Sequence, residues 1–172
     1  LTRALARQIG VSVDIQLGPW SKIRNDLREG KIDIIQGMFY SPERDKTFRF
    51  SPPHTLVEYV VVERKGGGGL NGADDLKDRV IIVQSGDIMH DLALNKGYGK
   101  EIIAVESQED ALLLLSGGKG DCAIVAKIPA LYFIEKNRWG NLVLSGDPIL
   151  SPEYCYSAMR GRESPLDIFI PA

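Results

Sequence analysis

The sequence has few cysteines and histidines and no long hydrophobic run. Its 172 residues include two cysteines, Cys122 and Cys155, and two histidines. Two cysteines are too few for a disulfide framework, and neither stands at a spacing typical of metal ligands. Each lies in a strand-like run, so we predict that both are unpaired and partly buried. The longest apolar stretches, such as residues 111–115, are far shorter than the roughly 20 residues that cross a bilayer.

No charge of one sign dominates the chain. Twenty-one Lys and Arg residues stand against 23 Asp and Glu residues, which gives a formal net charge of −2. Because no dense basic run could neutralise several phosphates, nucleic acid is not an expected partner. Hydrophobic residues make up 44% and charged residues 26% of the chain, a composition that supports a packed core and excludes wholesale disorder.

Motifs of catalysis and cofactor binding are also missing. The sequence contains no nucleophile elbow, no zinc-binding His-Glu-x-x-His helix and no dinucleotide fingerprint. The run 66–69 of four glycines lacks the Lys-Ser/Thr pair of a phosphate loop, and it marks either a surface loop or a lobe boundary. His54 and His90 have no catalytic partner placed by the sequence, so we interpret both as surface or structural side chains. We therefore expect no catalytic residue, no metal site and no cofactor.

Hydrophobic periodicity predicts an α/β protein built from many short elements. Residues 1–10 carry a helical stripe that ends at a glycine, and residues 11–17 alternate as a strand. A helix beginning at Pro19 and a strand at 32–36 complete a strand–helix–strand order that suits a parallel unit. The other predicted strands are 56–64, 80–84, 102–105, 122–126, 142–144 and 154–160, and the other predicted helices are 88–96, 108–116 and 128–137. No regular element is predicted for 161–172.

One short pattern occurs twice at a constant offset of 88 residues. Leu-x-x-Gly-Lys-x-Asp stands at 27–33 and again at 115–121. One interpretation is a common turn from a helix into a strand, and the other is a pair of similarly built lobes, each with its own parallel sheet. Parallel open sheets bind ligands at the carboxyl ends of their strands, which here lie at 37–40 and 126–127.

Among the charged residues, Arg44 is the strongest candidate for binding a ligand. It directly follows a predicted strand, where a planar guanidinium could hold a carboxylate with two parallel hydrogen bonds. The alternative is an ion pair with Glu43 or Asp45 on a solvated turn, which would contribute about 0–1 kcal/mol. The residue types alone favour neither interpretation.

Five ordered segments carry a family resemblance. They are Trp20-x-x-Ile23-x-x-x-Leu27-x-x-Gly30-Lys31-Ile32-Asp33, Gly37-Met38-x-x-Ser41-Pro42-Glu43-Arg44, Phe50-Ser51-Pro52, Asp75-Leu76-Lys77 and Val83-Gln84-Ser85-Gly86-Asp87. At these intervals the chain resembles the family 3 extracytoplasmic solute-binding proteins, which have the type II periplasmic binding protein fold. The resemblance covers about residues 1–160.

The resemblance implies a two-lobed α/β fold with two crossover hinge strands, truncated at both ends. Matching positions make 56–64 and 154–160 the crossover strands. Lobe 1 would then be discontinuous, formed by 1–62 and 156–172, and lobe 2 would be the inserted segment 63–155. In this family the lobes close on a small ligand, and we expect the same here.

The resemblance also implies the ligand-binding residues. Arg44 matches the arginine that grips the ligand's α-carboxylate in the amino-acid binders. The other expected ligand-binding residues come from the end of a first-lobe strand, from a second-lobe loop before a helix and from the end of a later strand: Gly37, Phe39, Tyr40, Ser41, Ser85, Gly86, Asp87, Ile88, Ala126 and Lys127.

Two departures from the amino-acid binders narrow the expected ligand. Those binders usually place an Asp at the strand end where this chain has Ala126, followed by Lys127. Asp87 would occupy the positive end of a helix dipole and disfavour a second carboxylate there. We therefore expect an anionic or polar organic solute, held by Arg44 with Lys127 as a second cation, rather than a standard α-amino acid.

Two stretches resemble one branch of the family in particular. Residues 37–46 and 83–91 look more like the sensor modules of bacterial histidine kinases than like free transport receptors. This implies a ligand-sensing domain on the periplasmic or extracytoplasmic side of the inner membrane, which signals by lobe closure. Its partners would be a small-molecule ligand and the membrane-anchored kinase portion of the same chain, and a homodimer is allowed. The alternatives are a receptor of an ABC importer for an amino acid or organic acid and, third, a dehydratase-like periplasmic enzyme.

Overall fold

The computed structural model describes residues 1–161 and 166–169 and divides the chain into two units. Unit 1 comprises Leu1–Leu56 together with Pro152–Ala172, and unit 2 comprises Val57–Ser151. The chain passes between the units at residues 56–57 and 151–152, a few residues before the positions that the sequence predicts. Unit 1 is therefore built from two separate stretches of sequence.

Short helices and strands alternate along most of the chain. The helices are α1 (Thr2–Ile9), α2 (Trp20–Glu29), α3 (Pro42–Asp45), α4 (Ile88–Lys96), α5 (Gln108–Ser116), α6 (Lys127–Lys136) and α7 (Leu166–Phe169). The strands are β1 (Ile35–Phe39), β2 (Phe48–Phe50), β3 (Thr55–Leu56), β4 (Tyr59–Arg64), β5 (Val80–Gln84), β6 (Glu101–Val105), β7 (Cys122–Ala126), β8 (Leu142–Leu150) and β9 (Glu153–Met159). The prediction of no regular element for 161–172 is wrong at α7, and otherwise falls mainly outside the described residues.

The repeated sequence pattern forms the same turn in both units. At the end of α2, Lys31 N donates to Asp26 O over 2.9 Å, and at the end of α5 Lys119 N donates to Leu114 O over 3.0 Å. Donors and acceptors are again offset by 88 residues. Gly30 has a left-handed φ of 77° that lets the chain leave its helix in this way.

The sheet of unit 1 differs from the prediction. Among the described residues, β1, β2 and β3 all pair with β9, and every one of these pairings is antiparallel. The expected parallel sheet in this lobe is therefore wrong, because β9 arrives from the far end of the sequence and lies between β1 and β2. Residues 11–17 alternate in sequence but form no strand, since a strand needs a neighbour to hydrogen-bond with.

The core of unit 1 lies between this sheet and α2. Leu27 on α2 packs with Ile35 and Met38 of β1 and with Phe48 of β2, and all four are buried. The helical spacing predicted from Trp20, Ile23 and Leu27 thus directs one face of α2 against the sheet.

Unit 2 contains a mixed sheet in the order β6-β5-β7-β4-β8. The strands β6, β5 and β7 run parallel, as expected for a strand–helix series, whereas β4 and β8 join antiparallel. The predicted bounds of α4 and α5 are confirmed, and α6 begins one residue earlier than predicted. Ser107 caps α5 by accepting from Asp110 N over 3.0 Å, as its sequence position predicts.

Two neighbouring residues of β4, Glu63 and Arg64, form hydrogen bonds with the segments around that strand. Arg64 donates to Leu115 O over 3.0 Å and to Gly120 O over 2.8 Å, and so caps the end of α5. Buried Glu63 accepts a hydrogen bond from Leu70 N over 3.2 Å. The preceding glycine run 66–69 lies inside unit 2, so it is a loop of that unit rather than a lobe boundary.

Both cysteines are free, which confirms the prediction that they are unpaired, and both are fully rather than partly buried. Burial raises the pKa of Cys122 to about 12 and that of Cys155 to about 11. Only the thiolate attacks disulfide reagents. We therefore expect neither thiol to react with an aromatic disulfide reagent at pH 8 in the folded protein, and both to react in denaturant. Rapid modification of either thiol under native conditions would contradict this burial.

Candidate functional site

Arg44 is placed by the short helix α3 at the end of β1. The Ser41 hydroxyl starts that helix by accepting a hydrogen bond from Arg44 N over 3.2 Å. The Arg44 side chain is buried, with its residue only 6% exposed, and its Nη1 donates to Phe39 O over 3.4 Å. Its guanidinium lies 5.9 Å from the centre of the Trp20 ring, a cation–π arrangement. Arg44, Ser41 and Phe39 are thus brought together.

The alternative of a solvated turn does not describe this arginine. Its two acidic neighbours have other partners, since Glu43 Oε2 accepts from Lys46 Nζ over 2.6 Å and Asp45 Oδ1 accepts from Arg160 Nη2 over 2.7 Å. The guanidinium is thus held inside unit 1 beside an aromatic ring, and a guanidinium can donate two parallel hydrogen bonds to a planar anion such as a carboxylate.

Gly37 makes room for an aromatic ring on β1. A Cβ atom at this position would lie 2.1 Å from the Tyr154 ring. The Tyr154 ring packs at 4.7 Å from Phe39 and at 5.5 Å from His54, measured between ring centres. Tyr40, the next residue along, is 38% exposed and meets the edge of Phe50 at 5.4 Å. The predicted first-lobe residues therefore lie beside an aromatic cluster.

Each backbone N–H group of the loop 85–88 in unit 2 donates a hydrogen bond to an acceptor in the same unit. Ser85 N donates to Val105 O over 2.7 Å, and Asp87 N donates to Gln84 O over 3.2 Å. Gly86 N donates to His90 Nδ1 over 3.0 Å, and Ile88 N donates to Asp87 Oδ1 over 2.6 Å. Each of these N–H groups already has an acceptor, so an anion approaching this loop would compete with existing bonds.

Asp87 is a buried helix cap whose carboxylate accepts several hydrogen bonds. Besides Ile88 N, its carboxylate accepts from the Tyr59 hydroxyl over 2.5 Å and from Gln108 Nε2 over 3.4 Å. The residue is 6% exposed. Asp87 therefore supplies the negative charge at the start of α4, as its sequence position predicts.

The end of β7 is tied to the same group. Ala126 N donates to Gln108 Oε1 over 3.0 Å, so Gln108 joins the strand end to the Asp87 carboxylate. Lys127, the expected second cation, forms an ion pair with Glu58 at 2.6 Å and donates its backbone N–H to Glu58 O over 2.9 Å. Its charge is therefore already compensated within unit 2.

Sequence reasoning missed four residues that organise these regions. Tyr154, Tyr59, Gln108 and Glu58 each contact a predicted site residue that is distant in sequence. The residues around Tyr59 predicted the strand β4. No sequence pattern near Tyr59, however, indicates that its hydroxyl donates to Asp87.

The described residues contain neither a metal-binding cluster nor a membrane-spanning helix. No group of three or more His, Cys, Asp or Glu side chains in that part of the chain is arranged to hold a metal ion. No helix formed by those residues is both long and apolar enough to cross a membrane.

Comparison with solved structures gives a close match in fold. A histidine kinase sensor domain with similarity to periplasmic binding proteins superposes with a TM-score of 0.92 at 35% identity, over 98% of this chain and 74% of that chain. The fold is thus the α/β fold of periplasmic binding proteins.

Sequence relatives include both sensors and receptors. The virulence sensor protein BvgS of Bordetella bronchiseptica is 24% identical over 143 residues, which cover 83% of this chain and 12% of BvgS. The arginine-binding extracellular protein ArtP of Bacillus subtilis is 26% identical over 140 residues, which cover 80% of this chain and 54% of ArtP. The chain thus matches about half of ArtP and a small part of BvgS.

A family model describes the same relationship. The model of the bacterial extracellular solute-binding proteins, family 3, matches residues 1–137. Since this match covers most of the chain, the protein belongs to the bacterial extracellular solute-binding proteins of family 3.

Proposed function

We propose that this chain is the ligand-sensing domain of a bacterial sensor histidine kinase, on the periplasmic side of the inner membrane. It binds a small polar or anionic solute between its two units and signals by their closure to a membrane-anchored kinase portion of the same protein. Ligand must favour the closed state for such a signal, because equal affinity for both states shifts nothing.

The observation that carries this proposal is the likeness to a histidine kinase sensor domain. That likeness extends over 98% of the chain at 35% identity. The match to BvgS, which is named a virulence sensor, points in the same direction. A receptor for an ABC importer is the second candidate, favoured by the match to ArtP. The gene that encodes the full protein separates the two, since a sensor requires a transmembrane segment and kinase domains after this chain.

The contacts support an anion held mainly by unit 1. The buried Arg44 guanidinium offers donors in a fixed fork that suits a carboxylate. In unit 2, Lys127 forms an ion pair with Glu58. The N–H groups of Gly86 and Ile88 in the loop 85–88 already donate to acceptors of the protein. A second carboxylate beside Asp87 would meet like charge, so a solute with one anionic end fits better than a dicarboxylate.

A thermal-shift screen tests the proposal. Carboxylic acids, amino acids and purine-like solutes are added to the wild-type chain and to Arg44→Gln, which keeps a side-chain donor for Phe39 O but removes the charge. A solute at 100 times its Kd stabilises the folded form by about 2.7 kcal/mol, which raises Tm by about 5–10 °C in a chain of this size.

We expect at least one anionic solute to raise the Tm of the wild-type chain and to leave Arg44→Gln unshifted. Arg49→Gln is the matched control, because Arg49 is a half-exposed arginine of unit 1 whose partner is Asp167, and it should respond like wild type. An anion that shifts Arg44→Gln as strongly as wild type would contradict the role of Arg44. A screen without any shift would contradict binding by this chain.

A further inference from the structure

The first turn of α4 contains a histidine that holds the preceding loop. His90 Nδ1 accepts the Gly86 N–H over 3.0 Å. Gly86 has a left-handed φ of 68°, and the next residue, Asp87, turns back to cap the helix. An imidazole nitrogen accepts a hydrogen bond only while it carries no proton, so this bond requires the neutral ring with its hydrogen on Nε2.

Protonation of His90 acts against this arrangement in two ways. It converts Nδ1 from an acceptor into a donor, so that two N–H groups face each other and the bond to Gly86 is lost. It also places a positive charge on the third residue of α4, at the positive end of the helix dipole. Histidine is the side chain whose ordinary titration falls within about pH 5–8.

Several elements of unit 2 place titratable groups near this loop. On α4 and its cap the acidic groups are Asp87 and Asp91. The strand packed against α4 is β5, whose residues Val80–Gln84 carry no titratable side chain. From β4, the Tyr59 hydroxyl reaches the region through its bond to Asp87.

We propose that His90 is a positioning residue for the loop 85–88 and that protonation releases its hold. Neutral His90 fixes the Gly86 N–H and the left-handed turn that aims Asp87 at α4. Protonated His90 cannot accept this hydrogen bond, so the Gly86 N–H is released and the turn is held less tightly. An effect of pH on ligand affinity by this route rests on the proposed function, whereas the hold on the loop does not.

Nuclear magnetic resonance on the ligand-free 172-residue chain tests the proposal. The ring protons of His90 and the backbone amide of Gly86 are followed together from pH 8 to pH 4.5. We expect the Gly86 amide resonance to move with the midpoint of the His90 ring. We also expect the protection of this amide against hydrogen exchange to fall about tenfold across that midpoint, as the loss of one hydrogen bond implies.

Two variants provide the controls. His90→Asn places an amide oxygen near the position of Nδ1 without a titrating group, so the Gly86 amide should stay protected and its resonance should not move with pH. His54→Asn removes the other histidine, which lies in unit 1, and should behave like wild type. A Gly86 amide that ignores the titration of His90, one that moves equally in His90→Asn, or a His90 ring that stays neutral down to pH 4.5 would each overturn the proposal.

Discussion

Replacing Asp87 with alanine is expected to lower the free energy of unfolding of unit 2 by about 3 kcal/mol. The loss of a helix cap costs about 1 kcal/mol. The hydroxyl of Tyr59, a fully buried residue, would also lose its hydrogen bond to the Asp87 carboxylate, and a hydrogen bond to a charged group contributes about 1.5–3 kcal/mol. The two effects act on the same unit, because Asp87 joins α4 to β4.

The measurement is denaturant unfolding read by a tryptophan of unit 2. The chain has two tryptophans, with Trp139 in unit 2 and Trp20 in unit 1, so a Trp20→Phe background isolates the signal of unit 2. Asp87→Asn is the matched control, since asparagine caps helices as well as aspartate does, and it should lose about 1 kcal/mol.

A double-mutant cycle with Tyr59→Phe separates the two causes. If this hydrogen bond contributes as argued, Asp87→Ala should cost about 1–2 kcal/mol less in the Tyr59→Phe background. Equal costs in both backgrounds would show that the hydrogen bond between Tyr59 and Asp87 contributes nothing to stability.

The second large effect is expected at Gly37. Gly37→Val should destabilise unit 1 by about 3 kcal/mol, because overpacking of this kind typically costs 1–3 kcal/mol. The first added carbon would lie 2.1 Å from the Tyr154 ring, which Phe39 and His54 flank. Valine suits strands, so the cost would come from the clash rather than from backbone propensity.

Unfolding followed by Trp20 in a Trp139→Phe background measures this loss. Gly72→Val controls for the substitution itself and is followed by Trp139, because Gly72 lies in unit 2. Gly72 is extended and a Cβ there meets nothing within 4 Å, so this variant should change stability by less than about 0.5 kcal/mol. Truncation of the ring by Tyr154→Ala should remove most of the cost of Gly37→Val. A full cost in that background would place the strain elsewhere.

Local signals sufficed for much of unit 2. The helix α4 begins after the cap Asp87 and ends at Gly97, which has a left-handed φ of 65°, and both signals are legible in the sequence. The strand β7 was legible from its unbroken apolar run, and all five of its residues are buried. These features depend on residues a few positions apart.

Contacts between segments that are distant in sequence could not be predicted from such local signals. The antiparallel sheet of unit 1 exists because β9 pairs with β1 and β2, more than 100 residues earlier. The alternation at 11–17 predicted a strand, but periodicity cannot show whether a partner strand lies beside it. The pairing of Lys127 with Glu58 is of the same kind, because no local sequence pattern indicates that this lysine has a carboxylate partner within the protein.

The burial of Arg44 decides against one of the two interpretations that its residue type left open. The residue types left a ligand-binding arginine and a solvated turn equally open. The structure places the guanidinium against Trp20 and the Phe39 carbonyl, with its residue 6% exposed. A position of this kind suits a group that must be held rigid before its ligand arrives.

The most direct test of the account is a calorimetric titration with an acid that the thermal screen selects and with the uncharged amide of that acid. In the proposed complex, one anionic end of the solute meets the guanidinium of Arg44. We therefore expect the wild-type chain to bind the amide at least about tenfold more weakly than the acid, a difference of about 1.4 kcal/mol, and Arg44→Gln to bind the two alike. Equal affinity of the wild-type chain for acid and amide would contradict this contact.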